Sequence, residues 1–268
     1  MIILIFLILL ILLFIFFRRS TFTSILKVGL ICMMKDPKNI ETWLDHHRKF
    51  GITHFYIQLE DTPSLEEYLR LQPDVTLNIN KSTGVNEYME KMTRQTIWAD
   101  KSIQYAKENN IDWLFHIDSD ELLEGAIDAL NSIPSNIDTF WIQNHEAVYK
   151  DVPTAEDNCF QAVKYINCAT GGCVSYANGK SGCRVNEYVS SNGCHRFKST
   201  RPDSEIFLEA IYLNHYESCD FDSYKIKYKQ LSQKADIDSI PFPYYRDSIK
   251  ASGSDEELRE VYKKYRTV

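Results

Sequence analysis

The chain has 268 residues, 44% hydrophobic and 25% charged, with a formal net charge of -7. That length suits one large domain or two small ones, and an acidic chain with scattered Lys and Arg lacks the basic stripe of a nucleic-acid binder. The composition also excludes a polytopic membrane protein, a collagen-like chain and a mainly disordered one.

Positions 1–17 (MIILIFLILLILLFIFF) are all apolar and stop at Arg18-Arg19. As a helix they would reach about 25 Å, the short end of a bilayer span. A cleaved leader wants a basic start, a shorter apolar core and a small-residue cleavage site. None of these is present, so the expectation is an uncleaved signal-anchor: a transmembrane helix over 1–17, a stem over 18–26, and a single-pass membrane protein. Arg18 and Arg19 favour a cytoplasmic position for the rest of the chain. Six of the seven cysteines (Cys159, Cys168, Cys173, Cys183, Cys194, Cys219) crowd between 159 and 219 and suggest an oxidising lumen instead. Buried free thiols are the alternative, and the absence of any CxxC pair speaks against zinc. A single sequon, Asn80-Lys81-Ser82, is a weak glycosylation signal.

Residues 27–34 (KVGLICMM) read as a buried strand. The next segment, 39–50, reads as a helix with Ile40, Trp43, Leu44 and His47 on one face. Residues 53–59 (THFYIQL) form the second predicted strand, followed by a short helix near 64–71 and a strand over 75–79. A long helical pattern runs over 86–109, before a fourth strand over 113–117. Strands alternating with helices imply parallel pairing through right-handed crossovers, a doubly wound α/β half. Such sheets bind ligands at the carboxyl ends of their strands.

The second half reads as more β-rich, with strands near 140–143, 160–165, 173–176 and 206–213 joined by Gly- and Asn-rich loops. A helix over 221–234 follows, then a break at Pro241 and Pro243. The last helix opens on Ser254 and Glu257 at capping-box spacing. There are no repeats and no dividing linker, so one domain is expected over 27–250, with a C-terminal helix over 251–268.

The sharpest feature is WLFHIDSDELL at 113–123. Asp118 and Asp120, one apart at a strand end, point to the same side in extended backbone and could face one hard cation. Two other Asp pairs share this spacing, Asp220/Asp222 and Asp236/Asp238. Only the first follows a hydrophobic strand and leads into Glu121 and an expected helix.

These segments together resemble the GT-A-fold nucleotide-sugar glycosyltransferases, nearest the family-2-like and family-92-like groups. Such enzymes often read K-N-E after the first strand, then E-W-x-x-H-x-x-x-G, then W-x-x-x-x-D-x-D-E. Trp43, His46, Trp113, Asp118, Asp120 and Glu121 stand at the matching places and Glu41 and Gly51 one residue outside them, while Lys35-Asp36-Pro37 replaces K-N-E. The resemblance covers about 27–216 and is strongest up to Leu123. It implies a GT-A type, Rossmann-like doubly wound sheet flanked by helices, with a more β-rich C-terminal acceptor half.

The resemblance also implies a metal-dependent transferase of the hexosyltransferase kind, moving a sugar from a nucleotide-sugar donor, a UDP-sugar by preference, to a glycan or glycoconjugate with inversion. A divalent cation, Mn²⁺ or Mg²⁺, would stabilise the departing diphosphate. Asp120 inherits the metal, Asp118 the sugar, ribose or metal, and His215 in YLNHYES completes the metal shell. Ser119 lies within the donor-binding motif; Lys35 and Asp36 take the first nucleotide contact. Arg94 is expected near the diphosphate, and Glu60 and Asp61 near the uracil or ribose. The segment YANGKSGCR resembles an acceptor-side loop and offers Lys180 and Arg184; His195 matches a recurring His near the acceptor or metal.

Inverting transfer needs a base on the acceptor hydroxyl. Glu146 is the best placed, with Asp151 and Glu187 competing. The lysines of the 221–234 helix, Lys225, Lys227 and Lys229, could close over the diphosphate or form a solvated face. By analogy with similar enzymes, a luminal enzyme would sit in a Golgi or ER-type membrane. Competing functions are a non-catalytic binding protein of the same fold and a metal-dependent phosphohydrolase.

Overall fold

The computed structural model describes residues 26–81, 88–233 and 242–268. Its first strand, β1 (Val28–Met34), is buried at all seven positions. A strand can be apolar on both faces only where both faces are covered. On one side lies α1 (Ile40–Phe50), which buries Ile40, Trp43, Leu44 and His47. It ends where Gly51 takes φ 116° and its N–H closes on the carbonyls of His47 and Arg48. The other side is covered by α3 (Tyr88–Glu108), where Trp98, Ala99, Ile103 and Ala106 pack with Ile31, Tyr56 and Leu114. Between them come β2 (His54–Glu60), the one-turn α2 (Glu66–Arg70) and β3 (Val75–Asn80). With β4 (Trp113–His116) these strands make the parallel half, ordered β3-β2-β1-β4.

At β4 the sheet changes polarity. Its other neighbour is β8 (Lys180–Arg184), antiparallel, which pairs in turn with β6 (Thr139–Val148). Next lies β11 (Glu205–His215), parallel to β6, and then β5 (Glu121–Gly125), antiparallel at the edge. A further strand, β7 (Lys164–Asn167), extends the far end of β6. The two strands β9 (Val189–Asn192) and β10 (Arg196–Ser199) form a separate hairpin. Three helices, α4 (Phe221–Ser232), α5 (Pro243–Ala251) and α6 (Asp255–Arg266), close the chain around buried Tyr224, Tyr228, Tyr244 and Tyr262. The fold is therefore mixed α/β, a central sheet flanked by helices with a more strand-rich C-terminal region.

Several expected elements differ. No helix follows Glu121: residues 121–125 are strand β5, with Leu122 and Leu123 buried and Gly125 at φ 103°. A Cβ there would stand 2.2 Å from the Ala210 carbonyl oxygen of β11. Residues 173–176 carry no strand, and the expected strand over 160–165 is displaced to β7. Strand β8 arises inside the stretch read as a loop, because Gly182 lets the Phe140 ring lie flat on it; a Cβ at 182 would meet that ring at 2.3 Å.

The expectation of a single-pass membrane protein, with membrane anchoring and a Golgi or ER membrane placement, is corrected. Among the described residues no helix is long and apolar enough to cross a membrane. The longest, α3, has 21 residues but carries charges along its length, Glu90, Arg94, Asp100 and Lys107 among them. The apolar segment 1–17 and Arg18-Arg19 lie outside the described residues. The cysteines divide between both readings: Cys159–Cys219 and Cys168–Cys173 are disulfides, and Cys32, Cys183 and Cys194 are buried free thiols.

Candidate active site

Three chain segments meet beyond the carboxyl end of β4, and the strand registers dictate which residues they bring. Because β8 runs antiparallel to β4, with His116 opposite Ser181, its first residue Lys180 lies beside the turn that follows β4. Because β11 pairs with both β5 and β6, His215 stands opposite Glu121 on one side and Glu146 on the other. The turn 117–120 is tied at both ends: the Asp118 N–H donates to Glu121 Oε2 at 2.7 Å, and the Tyr216 N–H donates to the Asp120 carbonyl at 2.8 Å.

Helix α1 fixes the same turn from below. Trp43 Nε1 donates to the Glu121 carbonyl at 2.9 Å, and His46 Nε2 lies 2.8 Å from the Leu123 carbonyl. The Leu123 N–H donates to His47 Nε2 at 3.2 Å, which assigns the ring proton to Nδ1, donating to the Trp43 carbonyl. Burial, with His46 beside it, lowers the His47 pKa to about 3, so the ring stays a neutral acceptor. The residues of the E-W-x-x-H segment thus hold the backbone that presents the carboxylates.

Asp118 is one-third exposed and already engaged: Lys180 Nζ donates to it at 2.5 Å and Gln95 Nε2 at 3.0 Å. Burial pushes its carboxyl up, but the Lys180 ammonium overrides this and holds it below the ordinary carboxylate range. Lys180 itself is fully buried, 3.7 Å from Glu121 Oε2 and 3.4 Å from the Cys194 carbonyl. Burial opposes its charge, and the two carboxylates raise its pKa despite that. Glu121 is fully buried and accepts from the Tyr176 hydroxyl; burial raises its pKa to about 7, with Lys180 opposing. Asp120 is the more open carboxylate, 38% exposed, with His215 Nε2 3.6 Å away. Against burial, the His215 ring lowers the Asp120 pKa, and Asp120 in turn raises that of His215. The Tyr176 ring meets the His215 ring edge-on at 4.7 Å.

The fit of a divalent cation can be tested on these contacts. Asp118 faces an ammonium, Asp120 faces His215, and among the described residues no group of three or more His, Cys, Asp or Glu is placed to hold a metal. A cation at Asp118 would sit in like-charge contact with Lys180. The set Asp118, Asp120 and His215 does not form a metal-binding cluster as arranged, and the expectation of such a cluster is corrected on that ground.

Other expected residues divide between the site and elsewhere. Glu60, at the end of β2, is buried and gripped by Arg94 through two bonds of 2.6 and 2.9 Å, with Asn80 at 3.0 Å. Lys35 pairs with Asp61 at 3.1 Å, and the Asp36 N–H donates to Thr62 Oγ1 at 2.8 Å; Asp36 and Asp61 both take positive φ. Ser119 lies within the carboxylate turn. His195 is drawn to the same end of the sheet, its Nδ1 3.1 Å from the Gly179 carbonyl, and burial beside Lys180 lowers its pKa to about 4.

Two residues lie away from the role expected of them. Arg184 ends β8 at the opposite edge, about 13 Å along the strand from Lys180, where it stacks over Trp113 at 4.3 Å and donates to the carbonyls of Ile133, Pro134 and Ile137. Glu146 is buried, with its oxygens taken by the N–H groups of Val174 and Ser175 at 2.7 Å each, by the Ser175 hydroxyl, and by Arg266 at 3.9 Å. Glu146 is closed to a ligand, and Arg184, half-buried, lies at the wrong end of its strand for the site. The α4 lysines are also occupied, Lys227 by Glu217 at 2.5 Å and Lys225 and Lys229 by Asp255. Gln95 and Tyr176 carry no role in the sequence reading, although Gln95 sits on the buried face of the long helix before the carboxylate motif and Tyr176 opens the segment YANGKSGCR.

No family model matches the chain. It is 27% identical over 224 residues to a glycosyltransferase-like protein of Arabidopsis thaliana, covering 65% of this chain and 49% of that protein. A second glycosyltransferase-like protein of the same plant is 23% identical over 278 aligned positions, covering 83% and 54%. The chain is thus similar to glycosyltransferase-like proteins over 65% and 83% of its length. It spans about half the length of the curated relatives it matches. Among solved structures, HddC from Yersinia pseudotuberculosis overlaps with TM-score 0.29 at 6% identity, over 72% of this chain and 78% of that one. Its complex with GMP-PN overlaps with TM-score 0.34 at 7% identity, over 70% and 93%. Overlaps that loose carry no weight for function.

Proposed function

We propose that the chain transfers a sugar from a nucleoside diphosphate sugar to a hydroxyl of a glycan or glycoconjugate. The carrying observation is the carboxylate turn Asp118-Ser119-Asp120 at the carboxyl end of β4, where the parallel half of the sheet hands over to the antiparallel half. Open α/β sheets bind ligands at such reversals. The description of the two plant relatives as glycosyltransferase-like supports the same reading. In this reading the partly exposed Asp118 accepts from hydroxyls of the donor. Asp120, the open carboxylate with His215 beside it, is the base for the acceptor hydroxyl in place of the sealed Glu146, and a single base of this kind predicts inversion at the sugar carbon.

The test is a panel of nucleoside diphosphate sugars screened by thermal unfolding and then by transfer. A true donor at a hundredfold excess over its Kd should stabilise the protein by about 2.7 kcal/mol. No stabilisation by any of them, and no transfer, would sink the proposal. The engagement of Asp118 by Lys180 gives one second reading some support: a protein of this fold that binds a nucleotide sugar without turning it over. Donor binding with neither hydrolysis nor transfer to a range of acceptors would favour it.

A further inference from the structure

Lys180 is placed with more care than an adventitious ion pair requires. Gly179, just before it, takes φ 62°, and a Cβ there would stand 1.9 Å from the Ile142 carbonyl oxygen. The Gly179 N–H donates to Asn144 Oδ1 at 3.2 Å, and its carbonyl meets His195 Nδ1 at 3.1 Å. The chain is thus pinned on both sides of the peptide that delivers the lysine. From there the side chain runs inward, fully buried, to end 2.5 Å from Asp118 and 3.7 Å from Glu121. The Cys194 carbonyl lies 3.4 Å from it, His195 and buried His116 are close enough for its charge to lower their pKa values, and among the described residues neither ring nitrogen of His116 has a hydrogen-bond partner. Among the described residues Asp118 also accepts from one neutral donor, Gln95, and feels the charge of Lys91 at longer range.

Resting on the donor-binding reading above, we propose that Lys180 is a positioning residue that takes the place of a divalent metal at this carboxylate turn. Its ammonium neutralises and orients Asp118, so that Asp118 receives the hydroxyls of a nucleoside diphosphate sugar directly and donor binding is independent of a divalent cation. A buried ammonium costs desolvation that only close carboxylates can offset; its retention under the turn has a purpose if it does what a metal would otherwise do. The ammonium is sealed below Asp118 and reaches no ligand itself, so its action runs through that carboxylate.

The deciding measurement is Mn²⁺ binding to the full chain, read by the paramagnetic resonance of free Mn²⁺ and needing no donor. Wild-type protein is expected to take up no stoichiometric Mn²⁺. Lys180→Met empties the cation position beside Asp118 and Glu121 and is expected to gain a Mn²⁺ site, whereas Lys180→Arg keeps the charge and gains none. Stoichiometric Mn²⁺ on the wild type overturns the proposal whether or not the variants fold. With UDP-glucose and other donors as probes, wild-type affinity should change less than twofold between excess EDTA and Mn²⁺. Lys180→Met should bind at least tenfold more weakly in EDTA and recover in Mn²⁺, a rescue that a purely structural lysine would not show. Wild-type donor binding that vanishes in EDTA also overturns it. If no nucleotide sugar binds under any condition, the functional reading fails, while the Mn²⁺ titration still reports on the lysine.

Discussion

Asp120 and Glu121 are neighbours in sequence with opposite protonation behaviour. Asp120 opens to solvent beside His215 and is held ionised; Glu121 points inward under Tyr176 and is pushed up to about 7 by burial. The expected base is therefore Asp120. Its change to Asn, which keeps the shape, should lower kcat for sugar transfer by about a hundredfold or more with a smaller effect on KM. An unchanged kcat would remove Asp120 from the chemistry. Glu121 makes a separate expectation about stability. Its folded pKa lies above the ordinary 4.5, so the folded state holds the proton more tightly than the unfolded chain. That contribution is complete below about 4.5 and is lost as pH rises through about 7. Urea unfolding across this range should show the wild type losing stability relative to Glu121→Gln, which cannot titrate; parallel profiles would refute the shift. Sequence singled out Asp118 and Asp120 by their position after an apolar strand. It could not show that Asp118 is already engaged, because Lys180 lies 62 residues away in the chain and reaches it only through strand pairing.

At the level of elements, short strands decide the site, and their placement depends on glycine. Gly179 turns the chain into β8 in a conformation L side chains rarely adopt. Gly179→Ala is expected to lower stability by more than about 1 kcal/mol, seen as a lower urea midpoint, and to weaken donor binding by displacing Lys180. A midpoint equal to wild type would mean the turn relaxes freely. The C-terminal layer offers a simpler case: the Ser254 hydroxyl accepts from the Glu257 N–H at the start of α6. Removing that cap by Ser254→Ala should cost about 1 kcal/mol. This cap, α1 and the strands β1 to β4 were legible because each rests on local signals, a side-chain cap, a 3.6-residue stripe or a continuous apolar run. Strands β5 and β8 were not. Their sequences, ELLEG and KSGCR, are short and mixed, and they become strands because β11, β4 and β6 supply partners.

Across the whole molecule, two disulfides cross very different lengths of chain. Cys159–Cys219 spans a separation of 60 residues and Cys168–Cys173 only 5. In the chain-entropy view the first contributes about 4 kcal/mol and the second about 2 kcal/mol. Denaturant unfolding of Cys159→Ala/Cys219→Ala should therefore show the larger loss; equal losses would point to native-state contacts rather than chain entropy. The longer bridge ties the segment after β6 to the entrance of α4, and the chain end returns to the same region, where Tyr149 pairs with Thr267 and the buried Arg266 reaches Glu146. Glu146 thus belongs to the closure of the C-terminal layer. Its position after a strand suggested a base, and only the packing of residues far along the chain shows that its oxygens are taken.

By itself the sequence determined the α/β class and the parallel half, and it marked the carboxylate pair that follows the fourth strand. Apolar runs, helical stripes and a carboxylate pair after a strand are local patterns set by backbone geometry. The tertiary structure alone decided what those carboxylates face. Antiparallel pairing carries Lys180 to Asp118 and sends Arg184 to the opposite edge, while the β11 register sets His215 beside Asp120. Charge pairing falls off over a few ångströms, and which charges come that close is a property of strand register, which no local stretch of this chain encodes.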